Sequence, residues 1–194
     1  MHGKRLMSMF AIGACGALVT GGGVAAATNT SPAPAARSTT TAPATGRVFF
    51  TAYQNDDLPG ASVVLSGAIA DFGAGVSVTN NGTVDPEHSS QLNLALTQGS
   101  FRIVIGPLHQ ELENALSHAP FNLRTCSGHV AVTGAAPVVT GSGTGAYKGI
   151  RGSFTLTITA NEVIGQLGQP CQRFTGLSFG EAIFVAGSGT ISFR

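Results

Sequence analysis

The segment from Val139 to Ala160 limits the possible folds of this chain more than any other. Its first part contains five glycines, Gly141, Gly143, Gly145, Gly149 and Gly152. In its second part Phe154, Leu156 and Ile158 alternate with hydroxyl side chains, a pattern that predicts a half-buried strand. Glycines within a β pattern mark bulges, sharp bends or close backbone approaches. The segment therefore predicts the bent corner of a closed or nearly closed antiparallel sheet.

Short β-patterned segments separated by turns recur through the rest of residues 47–194. They are Arg47–Tyr53, Ala61–Ala70, Ala74–Thr79, Gln91–Thr97, Ser100–Ile105, His129–Thr133, Ala136–Thr140, Phe174–Phe179, Ala182–Ala186 and Thr190–Phe193. Many short strands of this kind predict an all-β sandwich or barrel. About 150 residues are enough for one domain with its own core.

One helix interrupts the strands. Pro107 suits a first helical turn, and Leu108, Leu112 and Leu116 follow at helical spacing. We expect this helix to plug one end of the barrel or to pack on its side. His109 and Glu113 lie one turn apart on its polar face, which is either half of a metal site or, as we favour, a solvated pair.

The N-terminus predicts export. Lys4 and Arg5 precede an apolar run that ends in small residues, so residues 1–27 are interpreted as a signal peptide. Two alternatives are a membrane span and a lipid anchor on Cys15, which lies in a lipobox-like sequence. The chain is expected to be secreted or associated with the cell envelope, with lipid anchoring the less favoured form.

Residues 28–46 are rich in threonine, alanine and proline and contain no large apolar side chain. Such a segment cannot bury enough surface to offset chain entropy, so it predicts a disordered linker. Its clustered threonines and prolines also suit O-glycosylation, although an unmodified linker is the simpler interpretation. The folded domain is expected to span residues 47–194.

Charge and cysteine content narrow the functional classes. Residues 28–194 contain eight lysines and arginines and nine acidic residues, a net charge of 8 − 9 = −1. The lack of a basic cluster argues against a nucleic-acid partner.

In an exported chain, Cys126 and Cys171 form an even pair and predict a disulfide, which would stabilise the fold by about 4 kcal/mol. A free reactive thiol is the alternative.

The glycine segment also contains a false dinucleotide signature. Residues 141–146 match G-x-G-x-x-A, and Glu162 follows at roughly the expected distance. The signature requires a helix whose N-terminal amides hold the pyrophosphate, and the residues from Tyr147 onward are β-patterned instead. We therefore expect no nucleotide cofactor at this position.

Residues 141–152, GSGTGAYKGIRG, resemble the G-T-G-x-[YF]-x-G-x-x-G signature of the allene oxide cyclase and dirigent-like barrels and their small secreted bacterial relatives. The resemblance implies an eight-stranded antiparallel barrel with a central apolar cavity, often trimeric in the plant proteins. Cyclases of that family fold an unstable fatty-acid epoxide, and dirigent proteins steer radical coupling. The pocket residues of those families do not map onto this chain, so the resemblance carries the fold and not the activity.

Three functions are compatible with the sequence. The first is a non-catalytic secreted barrel that binds a small apolar or amphipathic ligand, because no nucleophile, metal or cofactor constellation is evident. The second is an isomerase or cyclase that acts by confining a reactive substrate. The third is a structural protein of the cell envelope. Polar candidates for a ligand site are Tyr53, Asp71, Tyr147 and Glu162. His88, His109, His118 and His129 have no evident partner in the sequence pattern.

Overall fold

The computed structural model describes residues 43–55, 60–85, 88–165 and 177–194. The predicted signal peptide, Cys15, Cys171 and most of the predicted linker lie outside these residues. Within the described part of the chain, no helix combines the length and apolar character needed to cross a membrane.

The fold is all-β, as the strand pattern predicts, with one α-helix in the described residues. The strands are β1 (Gly46–Asn55), β2 (Ala61–Gly67), β3 (Asp71–Val78), β4 (Gln91–Leu96), β5 (Gly99–Val104), β6 (Phe121–Asn122), β7 (Ser127–Pro137), β8 (Ile150–Gly165) and β9 (Leu177–Phe193), and the helix is α1 (Gly106–His118). They form one antiparallel sheet in the order β5-β4-β3-β2-β1-β9-β8-β7-β6, in which β6 is only two residues long. The other eight strands curl into a half-barrel, so the predicted antiparallel barrel architecture with one short helix is confirmed.

The alternation of apolar and polar residues determines which face of the sheet is buried. In β1, Val48, Phe50, Ala52 and Gln54 are buried, and the residues between them are exposed. We call the face that carries the buried residues the inner face, and the opposite one the outer face. Apolar side chains from six other strands and from α1 complete the core. Burial of each such side chain contributes roughly 1.5–3 kcal/mol.

Strand β9 is one continuous strand, although its sequence predicts three. The predicted break between Ala186 and Thr190 is wrong, because Gly187 and Gly189 lie within the strand and do not interrupt it. Both lie on the inner face, where Gly187 pairs with Phe50 and Gly189 with Phe154. A Cβ atom on Gly189 would lie 2.8 Å from the Phe154 ring and 2.3 Å from the carbonyl oxygen of Ser153. These glycines make room for the edge-to-face pair of Phe50 and Phe154, whose ring centroids are 5.9 Å apart.

The glycine segment closes one side of the half-barrel as a loop and not as a bent strand. Residues 138–149 connect β7 to β8, and a single 3-10 turn spans Gly145–Tyr147. The loop hydrogen-bonds to the free edge of β5: the amides of Val139, Thr144 and Ala146 donate to the carbonyls of Arg102, Ser100 and Gln98 at 2.8, 2.8 and 2.9 Å. A bridge between Ile103 and Val138 begins this contact. The loop therefore supplies hydrogen-bond partners to the edge of β5, with which a neighbouring strand would pair in a closed barrel.

Helix α1 follows β5 and packs against β7. It starts after β5 with Pro107 in its first turn and buries Leu108 and Leu112, as its pattern predicts. Leu108 packs against Gly134 of β7, where a Cβ atom would lie 2.9 Å from its Cδ2 atom. A glycine at this inner-face position lets the helix approach the sheet closely.

Candidate functional site

The two ends of the half-barrel differ in their chemistry. At one end, which we call the glycine end, the loop 138–149 lies over the start of β3. The other end, which we call the rim end, is the end at which β7 begins. Strand β1 and the regular part of β8 end there. The structure distributes the four polar candidates between these two ends and the outer face.

At the glycine end, the side chain of Asp71 is joined to Tyr147. The Tyr147 hydroxyl donates to Oδ2 of Asp71 at 2.5 Å. The same carboxylate accepts from the backbone amides of Phe72 at 2.8 Å, Thr97 at 3.2 Å and Gln98 at 3.1 Å, and from the Thr97 hydroxyl. Asp71 is 6% exposed and Tyr147 is fully buried. We call these two side chains the Asp71–Tyr147 clasp.

The clasp favours one protonation state for each partner. Burial raises the pKa of Asp71, but the hydrogen bonds from Thr97, Tyr147 and the backbone outweigh it, so the pKa lies below its usual value. Burial, the hydrogen bond to Asp71 and the negative charge of Asp71 all raise the pKa of Tyr147. Asp71 is therefore an anion and Tyr147 a neutral phenol near neutral pH. With five donors on the carboxylate and no route for solvent to the phenol, the clasp holds the loop to the sheet.

The other two polar candidates lie apart from the clasp and from each other. Tyr53 is on the outer face, 39% exposed, with its ring 5.0 Å from that of Phe184. Glu162 lies at the rim end on the inner face of β8, directly opposite Gly128 of β7 and Glu181 of β9. The four candidates thus do not form one site.

The predicted glycine positions have clear structural roles. Gly145 has a φ of 55°, and a Cβ atom there would lie 2.4 Å from the carbonyl oxygen of Gln98. The backbones of the loop and of β5 approach so closely that only glycine fits. Close approaches also occur at Gly143, Gly149 and Gly152, whereas Gly141 faces open space. Cys126 lies in the turn before β7. Because Cys171 lies outside the described residues, the pairing of these two cysteines stays a prediction.

A groove of about 520 Å³ opens at the rim end. It is lined by Pro120, Asn122, Ser127, Gly128, His129, Asn161, Glu162 and Val163. Gly128 and Glu162 occupy inner-face positions, whereas His129, Asn161 and Val163 occupy outer-face positions. Because both faces contribute, the groove crosses the rim of the half-barrel. We call it the rim groove.

Sequence reasoning missed two of the groove residues, His129 and Asn161. They are opposite each other on β7 and β8, and Nδ1 of His129 lies 2.7 Å from Oδ1 of Asn161. Only the strand register brings them together, since they are 32 residues apart. The alternation of apolar and polar residues in β8 predicts that Asn161 lies on the polar face. It does not predict that a histidine lies beside it.

Polar residues also occupy inner-face positions towards the rim end of the strands. Gln54 and Ser77 are buried, and Glu162 and Glu181 are partly buried. The hydroxyl of Ser77 is fully buried and has no hydrogen-bond partner in the structure. Among the described residues, no group of three or more histidine, cysteine, aspartate or glutamate side chains is positioned to hold a metal ion.

The described residues define a small protein with one curled antiparallel sheet and a groove at its rim end. No protein-family model, no curated protein and no solved structure matches the chain. The resemblance to the allene oxide cyclase and dirigent-like barrels rests on the glycine segment alone and stays a prediction.

Proposed function

We propose that the protein is an exported, non-catalytic binding protein that takes up a small amphipathic ligand at the rim groove. The observation that carries this proposal is the position of the groove. It crosses the rim from a polar outer wall, formed by His129 and Asn161, to the inner face. An amphipathic molecule has the same succession of polar and apolar parts.

The inner wall of the groove leads towards apolar surface. Gly128 and Glu162 are followed along their strands, two residues farther in, by Val130 and Ala160, which belong to the core. An alkyl group placed against these side chains would gain roughly 25 cal/mol for each Å² of apolar surface removed from water. The unpartnered hydroxyl of Ser77, on the inner face of β3 near the same end, supports a ligand with at least one polar atom in its buried part.

The cyclase hypothesis has less support. Its reacting groups must be reached by a substrate, and two of its candidates, Asp71 and Tyr147, are buried and joined to each other. The third hypothesis, a structural protein of the cell envelope, has one observation in its favour. Four large apolar side chains on the outer face are 46–64% exposed: Phe49, Val64, Phe72 and Phe184. Such a surface favours contact with other molecules through the outer face.

Titration calorimetry with an eight-carbon amphiphile below its micellar concentration tests the proposal. A Gly128→Val variant places a side chain in the groove and is expected to abolish binding. Ala131→Val, at an exposed outer-face position of the same strand, is the matched control and is expected to bind like the unchanged protein. Absence of binding by the unchanged protein, or equal binding by Gly128→Val, would contradict the proposal.

A further inference from the structure

We infer that the polar part of the ligand at the rim groove is a neutral, hydroxyl-rich group of the kind that a sugar presents. This inference rests on the proposed function and names the chemistry of the head group. It follows from the hydrogen-bonding groups that the groove presents to solvent.

The His129–Asn161 pair presents one donor and one acceptor. If His129 Nδ1–H donates to Oδ1 of Asn161 across 2.7 Å, Nε2 of His129 remains an acceptor and the amide nitrogen of Asn161 remains a donor. The opposite assignment, in which the Asn161 amide donates to Nδ1, leaves an imidazole donor and an amide acceptor. Either arrangement matches a hydroxyl pair, because each hydroxyl donates and accepts.

Asn122 adds a donor on the other side of the groove. Its Oδ1 accepts from the backbone amides of Arg124 and Thr125 at 2.9 and 3.3 Å. The carbonyl end of this side chain is therefore engaged, and its orientation is fixed with the amide nitrogen left over as a donor. A preorganised donor contributes to affinity because little side-chain freedom is lost on binding.

The remaining lining suits a sugar ring better than an anion. Val163, 48% exposed, and Pro120 offer apolar surface against which the C–H face of a ring can pack. Among the described residues, neither a lysine nor an arginine lines the groove, whereas Glu162 does. A carboxylate accepts hydrogen bonds from hydroxyl groups and repels a carboxylate or phosphate head group. Neutral amides, a hydroxyl and an imidazole recognise hydroxyl groups by direction and not by charge.

Calorimetric titration with octyl glucoside, octanoate, octyltrimethylammonium and methyl glucoside tests the inference, with each amphiphile below its micellar concentration. Octyl glucoside is expected to bind more tightly than the other three. His129→Ala and Asn161→Ala are each expected to weaken octyl glucoside binding about tenfold, the equivalent of one hydrogen bond. His109→Ala, a partly exposed histidine on α1, is the control and is expected to leave it unchanged.

A second variant guards against loss of structure at the strand pair. Asn161→Asp keeps an oxygen for His129 but removes the amide nitrogen, so it should fold normally and still lose octyl glucoside affinity. Unchanged affinity in Asn161→Asp and His129→Ala would overturn the inference. Tighter binding of octanoate or octyltrimethylammonium would overturn the inference and leave the proposed function standing. Equal binding of methyl and octyl glucoside would instead support the sugar site and contradict an amphipathic ligand. If none of the four compounds binds, both the inference and the proposed function are wrong.

Discussion

The hydroxyl of Tyr147 donates a 2.5 Å hydrogen bond to the carboxylate of Asp71, which precedes it by 76 residues. Asp71 begins β3, and Tyr147 ends the 3-10 turn of the glycine loop. One buried contact thus fastens the segment that covers the edge of β5 to the start of β3, the second strand from β5 in the sheet. Its loss should affect the whole domain, because the same loop satisfies the backbone of β5.

Replacement of Tyr147 by phenylalanine is expected to lower the free energy of unfolding by about 1.5–3 kcal/mol. A hydrogen bond to a charged group contributes this much, and the phenylalanine ring keeps the packing against Phe101, 5.2 Å away between centroids. Urea denaturation measures the change. The control is Tyr53→Phe on the exposed outer face, where the change should stay within about 0.5 kcal/mol. Equal losses in both variants would contradict a special role for the clasp.

The clasp also predicts how stability depends on pH. The pKa of Asp71 is lower in the folded than in the unfolded protein, so its contribution is present above about pH 4 and is lost as the pH falls through the folded value. The pKa of Tyr147 is raised on folding, so its contribution is present below about pH 10 and is lost above it.

Chemical denaturation across the pH range should therefore give a broad plateau with a decline at each side. Asp71→Asn is expected to reduce the acid decline, and Tyr147→Phe is expected to reduce the alkaline one. If both variants kept the profile of the unchanged protein, other groups would have to account for both declines.

Ser77→Ala is expected to leave stability unchanged or to raise it by about 1 kcal/mol. The hydroxyl of Ser77 is buried without a partner, and removal of an unsatisfied polar group recovers its desolvation cost. Ser90→Ala serves as the comparison, because the Ser90 hydroxyl donates to Oδ1 of Asn80 at 2.7 Å. That variant should lose about 0.5–1.5 kcal/mol in urea denaturation. A clear loss of stability in Ser77→Ala would show that its hydroxyl has a partner, such as a bound water.

The predicted bridge between Cys126 and Cys171 is open to direct measurement. Peptide mapping without reductant of the protein produced in an oxidising compartment is expected to recover the two cysteines in one linked fragment. Reduction should then lower the free energy of unfolding by about 2–4 kcal/mol, since a bridge restricts the unfolded chain. Two free thiols in that protein would rule the bridge out.

Sequence patterns determine the strands and the helix well because each depends on local periodicity. The alternation of Phe154 and Leu156 in β8 and the helical spacing of Leu108 and Leu112 in α1 both give the correct buried side. Glycines within strands were harder to interpret, because Gly187 and Gly189 are required by a ring pair on other strands and not by a turn. The candidate site depends on register, which local patterns do not contain.

The same limit applies to the glycine loop. The five glycines between Val139 and Ala160 indicate a close backbone approach. Whether they bend a strand or form a loop depends on the partner segment that they contact. That partner is β5, about forty residues earlier, and the contact uses the Ser142 and Thr144 hydroxyls as well as the backbone: Arg102 N–H donates to Ser142 at 2.9 Å, and Ser100 N–H donates to Thr144 at 3.0 Å. Local sequence cannot identify such a partner.

Gly145→Val tests the loop directly and is expected to lower the free energy of unfolding by more than about 2 kcal/mol. Gly145 has a φ of 55°, in the left-handed region that a β-branched residue strongly disfavours. Its Cβ atom would also meet the Gln98 carbonyl at 2.4 Å, where the Ala146 amide donates at 2.9 Å. The substitution therefore strains the backbone and pushes the loop from β5.

Thr157→Val is the matched control, since it introduces the same side chain on the outer face of β8. Thr157 is partly exposed, and its hydroxyl shares a hydrogen bond with that of Thr133 at 2.8 Å. Valine suits a strand, so the loss should stay below about 1 kcal/mol. Chemical denaturation of both variants measures the difference. Small and equal losses would mean that the loop does not depend on its contact with β5, and the closure of the half-barrel would need another explanation.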